Sequence, residues 1–577
     1  LCGVVLRGLI RSSKRRPLSK LTFAKRTADE LLATLDHSVL LDLTPANMKN
    51  VDPRRSRAMR DGHYVHVDPE PLPKPEVVAI SENFCHDLDV EPEVMASPEM
   101  VKLLAGDVSD VSDVSLSPWA TPYGTSVNGN FAADSPFGPW GYGDGRAISL
   151  GVFRSGKQPW ELQLKGAGRT PFSRNFDGRA VLRSCIREFL ASEAMHHLGV
   201  PTARSLSVVT SSERVTRPWY AHPSHQTMQM QGTPPRCHEN EAAAMLCRSA
   251  RSFWRVGHVE LFARRGEREL ADFLWHVFGR DFPLLAQNRL DEAIVAFFEE
   301  FVKRQAELVA EWLRVGYVHG NMNSDNCLLC SQTLDFGPFA FMEAYDPGYQ
   351  PFTSDKKGHY AFNCQVDAAF ANVQVLARNL PCALPTGERG ECAQRLKQIL
   401  ASFTKEFQAA HTERCRRKLG LATWDGDEES ADTVRWTQLM QLMARSEADW
   451  TIFFRSLVWL DVEKAELEDL RKAFSSFPSG ELRLDWMKWL RGYCDSLQGV
   501  DLERRRAEMC AASPKYVPRN WMLFEAYDAA QRGEYHVTRG MLKLFEAPYE
   551  EQMVFEEAYF RTTPNWAKSK GGIAFMS

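Results

Sequence analysis

Apolar and polar residues alternate through Trp160-Glu-Leu-Gln-Leu-Lys165, with Trp160, Leu162 and Leu164 on one side and Glu161, Gln163 and Lys165 on the other. A period of two predicts a β-strand. A preceding strand is predicted at Ala147–Phe153, entered through the tight turn Gly141-Tyr-Gly-Asp-Gly-Arg146, and a following one at Ser205–Val209. Between them the spacing predicts a helix over about Arg179–Leu198. Val181, Leu182, Ile186, Phe189 and Leu190 form its buried stripe, and Gly199-Val-Pro201 stops it. A longer helical pattern covers about Leu290–Arg314. Its most apolar part, Ala293–Val302, still carries Glu299 and Glu300 and reads as a core helix. Residues Pro218–Asn240, rich in His, Gln and Pro, predict a solvent-exposed insertion. Beyond about residue 365 the pattern is almost wholly helical, interrupted by the acidic connector Asp425-Gly-Asp-Glu-Glu429, and no internal repeat is visible.

At 577 residues the chain is too long for one compact core, so several structural units are expected. With 44% hydrophobic and 25% charged residues and a net charge of −4, it has a globular composition and no basic excess of the kind a nucleic-acid binder carries. No apolar run approaches the roughly 18 residues of a membrane span. Thirteen cysteines stand without a framework of even spacings, which favours free thiols in a reducing compartment. Cys327-Leu-Leu-Cys330 is a lone CxxC. It is expected to pack in a hairpin, since zinc would need a second pair at matching spacing. Residues 1–28 carry Arg7, Arg11, Lys14, Arg15, Arg16, Lys20, Lys25 and Arg26 with no acid before Asp29. That pattern predicts an organelle import segment, mitochondrial more often than plastid, or else a basic tail on a cytosolic protein.

The chemistry concentrates in His319-Gly-Asn-Met-Asn-Ser-Asp-Asn326 and, nine residues later, Asp335-Phe-Gly337. In kinase-like phosphotransferases a His-Gly-Asp segment followed by Asn supplies a base and a metal ligand, and the Asp of Asp-Phe-Gly holds the metal on the nucleotide phosphates. Here Asn326 and Asp335 preserve the metal pair, suited to magnesium or manganese, but the base position is Asn321, whose carboxamide takes up no proton near neutral pH. Asp325 is the only carboxylate of that loop and a candidate general base, although an Asp there also suits loop bracing. Lys165 at a strand end and Glu188 in the next helix form a phosphate-steering pair. Either residue alone would be ordinary, and the order strand Lys, helix Glu, Asn, Asp is what distinguishes them. Gly143, Gly145 and Arg146, and the run Lys165-Gly-Ala-Gly-Arg-Thr170, could lay amides and a guanidinium against phosphate oxygens, while Asp177-Gly178 stands just before the helix. Arg248 and Arg255, seven apart, would share one helical face if the segment is helical, either as a solvated basic face or as cations for a departing pyrophosphate.

Pro159–Val209, with Leu-Lys-Gly-Ala-Gly-Arg-Thr-Pro-Phe-Ser-Arg and Ile-Arg-Glu-Phe-Leu-Ala-Ser-Glu-Ala-Met, resembles the selenoprotein O family. Asn323–Asn326, Leu334–Phe341, Lys418–Leu421, Pro514–Asn520 and Ala547–Glu550 resemble it too, so that the likeness covers roughly residues 35–570. The resemblance implies an α+β, bilobal protein-kinase-like fold binding ATP in a flipped orientation and moving AMP onto Ser, Thr or Tyr hydroxyls of proteins. In that frame residues 29–130 are an N-terminal extension on the core, 131–260 an N-lobe with the nucleotide loops, 261–460 a C-lobe with the catalytic and metal loop, and 461–577 a helical C-terminal region. It further implies that Gly143, Gly145, Arg146, Lys165, Asp177, Gly178, Arg248 and Arg255 contact ATP, that Asn326 and Asp335 bind magnesium with Asp335 also touching the nucleotide, and that Asp325 accepts the proton, with Glu188 in support. A conventional kinase-like phosphotransferase and an inactive nucleotide-binding scaffold are the competing functions. The chain departs from the family pattern at Ser135–Trp140, which is shorter than usual, and at Pro218–Asn240, which is longer. Many members end near a cysteine or selenocysteine; this sequence ends Gly-Gly-Ile-Ala-Phe-Met-Ser577, so redox control through such a residue is not expected.

Overall fold

The computed structural model describes residues 27–569 apart from 33, 37–39, 58, 110–115, 125, 128–129, 132–141, 156–157, 220–236, 353, 425 and 428. The expected import segment therefore lies outside the described residues except for Thr27 and Ala28, as do Ser135–Trp140 and the final residues 570–577. The architecture is mixed: one large antiparallel sheet followed by many helices.

The sheet is nine-stranded. Its members in chain order are β1 (Leu35–Asp36), β2 (Val65–His66), β3 (Glu76–Ile80), β4 (Trp119–Ala120), β5 (Ala147–Ser155), β6 (Gln158–Lys165), β7 (Ala180–Val181), β8 (Arg204–Trp219) and β9 (Cys237–Ala250). They lie side by side as β2-β4-β5-β6-β9-β8-β3, with β1 on β5 and β7 on β9. Both outer strands of that path come from the chain before residue 131, so this early segment closes the edges of a sheet made mostly of later residues. In β6 both faces are buried: Leu162 and Leu164 pack in the core, while Glu161, Gln163 and Lys165 face a polar interior.

The structure departs from two expectations. The predicted insertion Pro218–Asn240 is strand at both ends, with Pro218 opposite His238 and Trp219 opposite Cys237, and β8 is far longer than Ser205–Val209. β-Branched Val208, Val209, Thr210, Val215 and Thr216 sustain the strand up to Pro218. Arg248 and Arg255 share no helix: Arg248 lies in β9, opposite Gln163 of β6, and Arg255 caps the helix that follows. The Ala-rich run Ala242–Ala250 has helical propensity, yet as a central strand almost wholly buried from Ala243 onward it needs small side chains.

Helix α1 (Leu182–His197) crosses the sheet and is buried nearly all round. Next come α2 (Val256–Arg265), α3 (Glu267–Asp281) and the 26-residue α4 (Leu290–Val315). Helix α4 stops at Gly316, whose φ of +74° fits glycine and whose hydrogen faces the Trp450 ring, where a Cβ would lie 2.7 Å from a ring carbon. The chain then forms the two-stranded ladder β10 (Tyr317–Val318) and β11 (Ala340–Phe341), which brackets the loop carrying Asp325 and Asp335. Beyond it lie α5 (Gln365–Asn379), α6 (Phe403–Leu419), α7 (Trp450–Val458), α8 (Asn520–Gln531) and α9 (His536–Glu546), among other helices. One apolar core runs from α1 through α4 to α8 and α9. Among the described residues no helix is long and apolar enough to cross a membrane.

Candidate active site

The end of β6 delivers Lys165, 8% exposed, to Glu188 on α1, and the two side chains form an ion pair. Glu188 uses its other oxygen for Arg248 Nη1 at 3.1 Å. Arg248 in turn gives Nε and Nη2 to Gln163 Oε1, at 3.0 and 2.6 Å, and lies 5.1 Å from the Phe253 ring centre. Lys165 Nζ also lies 3.6 Å from Asp335 Oδ1. A small hollow beside these groups is lined by Arg146, Lys165, Ser184, Cys185, Glu188 and Gly337. The structure thus brings Lys165, Glu188, Arg248 and Asp335 together from β6, α1, β9 and the loop after α4. Burial alone would raise the Asp335 carboxyl, but Lys165, then His319, Arg248 and Arg146, hold it below its usual range.

The loop from His319 is braced before it reaches the chemistry. His319 is buried, with Nε2 2.8 Å from the Leu334 carbonyl, and its backbone N–H donates to Gln365 on α5. Asn321 accepts from Asn323 through its carboxamide oxygen and from Asn326 Nδ2 through its carbonyl, at 3.1 and 3.0 Å. Asn326 Nδ2 also donates to Asp335 Oδ2 at 3.1 Å. Asp335 sits at φ +67°, a left-handed conformation that non-glycine residues rarely adopt. A hard divalent cation fits this donor set: one carboxylate and, after rotation of the amide, one carboxamide oxygen, with water and phosphates completing the shell. Among the described residues no group of three or more His, Cys, Asp or Glu converges as a dedicated metal cage.

A second cluster stands around Arg255, the residue before α2. Its Nη1 pairs with Asp144 Oδ1 at 3.1 Å, and its guanidinium lies 3.9 Å from the Tyr123 ring centre. Asp144 is fixed by Thr121, whose N–H and hydroxyl donate to Oδ2 at 3.0 and 2.7 Å. Asp325, 9% exposed, lies in the short 3₁₀ turn Ser324–Asn326. Burial pushes its carboxyl up to about 7, with Arg255 and Arg174 pulling down and Glu260 on α2 pushing up. Its Oδ1 has no hydrogen-bond partner among the described residues.

The glycine turns are stitched to each other. Gly143 has no room for a Cβ, which would lie 2.5 Å from the Thr121 carbonyl, and at Gly145 one would lie 2.7 Å from the Phe172 carbonyl. Thr170 Oγ1 donates to the Asp144 carbonyl, and the N–H groups of Gly166 and Ala167 donate to the Arg146 carbonyl. Gly178, at φ +71°, packs directly on the Gly168 backbone. Asp177, by contrast, is turned to Arg217, which donates to both its oxygens at 2.8 and 2.7 Å, and to the Arg179 N–H. Cys327 and Cys330 are buried free thiols, both pushed up to about 12 by burial, and Cys330 packs against the Ser252 carbonyl.

Gln163 holds Arg248, while Asp144 and Tyr123 hold Arg255 and Thr121 fixes Asp144; no motif spacing marks these four residues. Gln163 was visible only as a polar position in an alternating strand. Asp144 stands between two glycines of a tight turn, where an Asp is ordinary.

Lys165, Arg248 and the Asn326 amide gather around the Asp335 carboxylate, side chains of the kind that phosphate-handling enzymes use. Comparison with known proteins gives the class its family. The sequence model described as protein adenylyltransferase SelO matches residues 48–545, and the chain belongs to that family. It is 38% identical over 530 residues to the protein nucleotidyltransferase YdiU of Azoarcus sp. (strain BH72), covering 90% of this chain and 95% of that protein. The YdiU proteins of Aromatoleum aromaticum and Rhodopirellula baltica are 36% and 35% identical, covering 91% and 94% of this chain and 96% and 98% of theirs. The chain is accordingly an enzyme, a nucleotidyltransferase of the adenylyl-transferring family.

Proposed function

We propose that this enzyme moves AMP from ATP onto Ser, Thr or Tyr hydroxyls of protein acceptors and releases pyrophosphate. Its frame is read as a kinase-like bilobal fold, with residues 131–260 as the N-lobe, 261–460 as the C-lobe, 29–130 packed on them and 461–577 as a helical C-terminal region. The observation that carries the mechanism is the junction of Lys165, Glu188, Arg248, Asp335 and Asn326 into one contiguous polar set.

In the reaction the acceptor oxygen attacks the α-phosphorus. The bond from that phosphorus to the oxygen bridging it to the β-phosphorus breaks, and the hydroxyl proton passes to Asp325. Lys165 and Arg248 hold phosphate oxygens, with Arg146 beside them and Arg255 in its own cluster, and their positive charge stabilises the pyrophosphate as it departs. Glu188 and Gln163 fix where those cations point. Asn326 and Asp335 would hold a magnesium or manganese ion, which when bound neutralises phosphate charge. Asn321 is spent on bracing the loop, and this argues against ordinary γ-phosphoryl transfer, where that position carries the base. The basic first 28 residues support a mitochondrial site of action.

Incubation with ATP labelled at the α-phosphate, followed by intact-mass analysis, tests the reading. The expected result is an AMP adduct on the enzyme or an added protein, with the α-label retained and a γ-label lost. A phosphate adduct carrying the γ-label would replace it with a kinase, and nucleotide-dependent thermal stabilisation with no adduct would replace it with a scaffold.

A further inference from the structure

The carboxylate of Asp325 is walled by two neighbouring glycines. A Cβ built on Gly257 would lie 2.5 Å from Asp325 Oδ1. One built on Gly124 would overlap that same oxygen and lie 2.5 Å from Oδ2. The walls are themselves joined, since the Gly124 N–H donates to the Gly257 carbonyl at 3.3 Å. Gly124 has a left-handed φ of +75°, so its own backbone accounts for a glycine there. Gly257 does not: it is the second residue of α2, in a conformation any residue adopts.

We infer that Gly257 is a positioning residue for the adenylyl-transfer base: its missing side chain is the space that holds the Asp325 carboxylate in line. The inference rests on the reading of Asp325 as proton acceptor. The nearest atom to an added methyl is the tip of a side chain, and that tip can move while the helix stays. Gly124 lines the adjacent side, with its backbone N 3.2 Å from the added methyl, so the methyl has no free space beside the carboxylate and the carboxylate must shift. A displacement on the order of 1 Å at a reacting group is enough to cost about 100-fold in rate.

The test is a cycle of Gly257→Ala, Asp325→Ala and the double variant in the full chain, read by turnover, KM for ATP and thermal unfolding. Gly257→Ala is expected to lower kcat about 100-fold while KM for ATP changes less than about threefold. It should lower the melting temperature in the native background, and leave it equal or higher when Asp325 is already alanine, because the clash is then gone. If Gly257→Ala alone fails to fold, recovery of folding in the double variant carries the same meaning. Equal destabilisation in both backgrounds would place the clash on Gly124 instead and overturn the inference. Full activity of Gly257→Ala beside an inactive Asp325→Ala would overturn it while leaving the base assignment standing. Full activity of Asp325→Ala would remove the base assignment, and this inference with it.

Discussion

Asp335 holds its position at a conformational cost of about 1–3 kcal/mol, because a left-handed aspartate is tolerated only where its surroundings over-determine it. Those surroundings are Lys165 on one oxygen and Asn326 on the other. As the proposed metal ligand, Asp335 is the group whose removal should be felt most. Asp335→Ala is expected to lower adenylyl incorporation by at least about 100-fold, with the protein still folded by circular dichroism. Near-normal incorporation would take Asp335 out of the mechanism. This residue was legible in the sequence, as were Lys165, Glu188 and Asn326, because phosphate chemistry demands those residue types at set intervals. Gln163 and Asp144 were not legible. Each satisfies a buried arginine, and any polar side chain that the fold brought within reach would have served.

The elements meet the site through buried ion pairs that periodicity does not reveal. Near the end of α1, Glu193 accepts from Arg204 Nε and Nη2 at 2.8 and 2.7 Å, from the Ser205 N–H at 2.9 Å and from the Ser81 hydroxyl at 2.6 Å. One carboxylate thereby ties α1 to the start of β8 and to the chain after β3. The spacing of apolar residues predicted α1 to within a few residues. The partner of Glu193 could not be read, since Arg204 is eleven residues away across a turn. β9 was unreadable for a different reason, because burial on both faces overrides alanine's helical preference. Glu193→Gln is expected to cost about 1.5–3 kcal/mol in denaturant unfolding, by weakening the charge-assisted bonds to Arg204, which keeps Asp87 Oδ2 on Nη1 at 2.7 Å. The pH dependence has a definite sign. Burial would raise Glu193, but Arg204 and the hydrogen bonds more than offset it and hold it below its usual range. The stability it contributes is then full above the unfolded value of about 4.3 and is lost as pH falls through the lower folded value. Native protein and Glu193→Gln should therefore differ most near neutrality and converge in acid; a gap that widened below about pH 4 would contradict the pairing.

At the scale of the molecule, the C-terminal helices clamp the element that carries Glu188. Arg187, its neighbour on α1, gives Nη1 to Asn520 at the start of α8 at 2.8 Å, donates Nη2 to the Phe339 carbonyl, and lies 4.1 Å from the Phe339 ring centre. Arg519 locks Asp449 with two bonds of 2.6 and 2.9 Å, and Arg539 on α9 reaches the Val78 carbonyl of β3 at 2.9 Å. The sheet edge and α1 are thus held by residues 520 and 539, and α1 in turn holds the segment just after Asp335 through Arg187. Helix α1 is pinned within its own chain, with the Lys165–Glu188 pair formed. Asn520→Ala tests whether that pinning reaches the chemistry. Arg187 Nε has no partner among the described residues, so losing Asn520 leaves a buried guanidinium held by Phe339 alone, at a cost of about 1.5–3 kcal/mol. Amide exchange in α1 is expected to quicken, and kcat/KM for ATP to fall about tenfold, equivalent to roughly 1.4 kcal/mol of lost transition-state stabilisation. Faster exchange with unchanged turnover would make the C-terminal helices a support for stability only, and would leave α1 positioned by the sheet and the Lys165 contact alone.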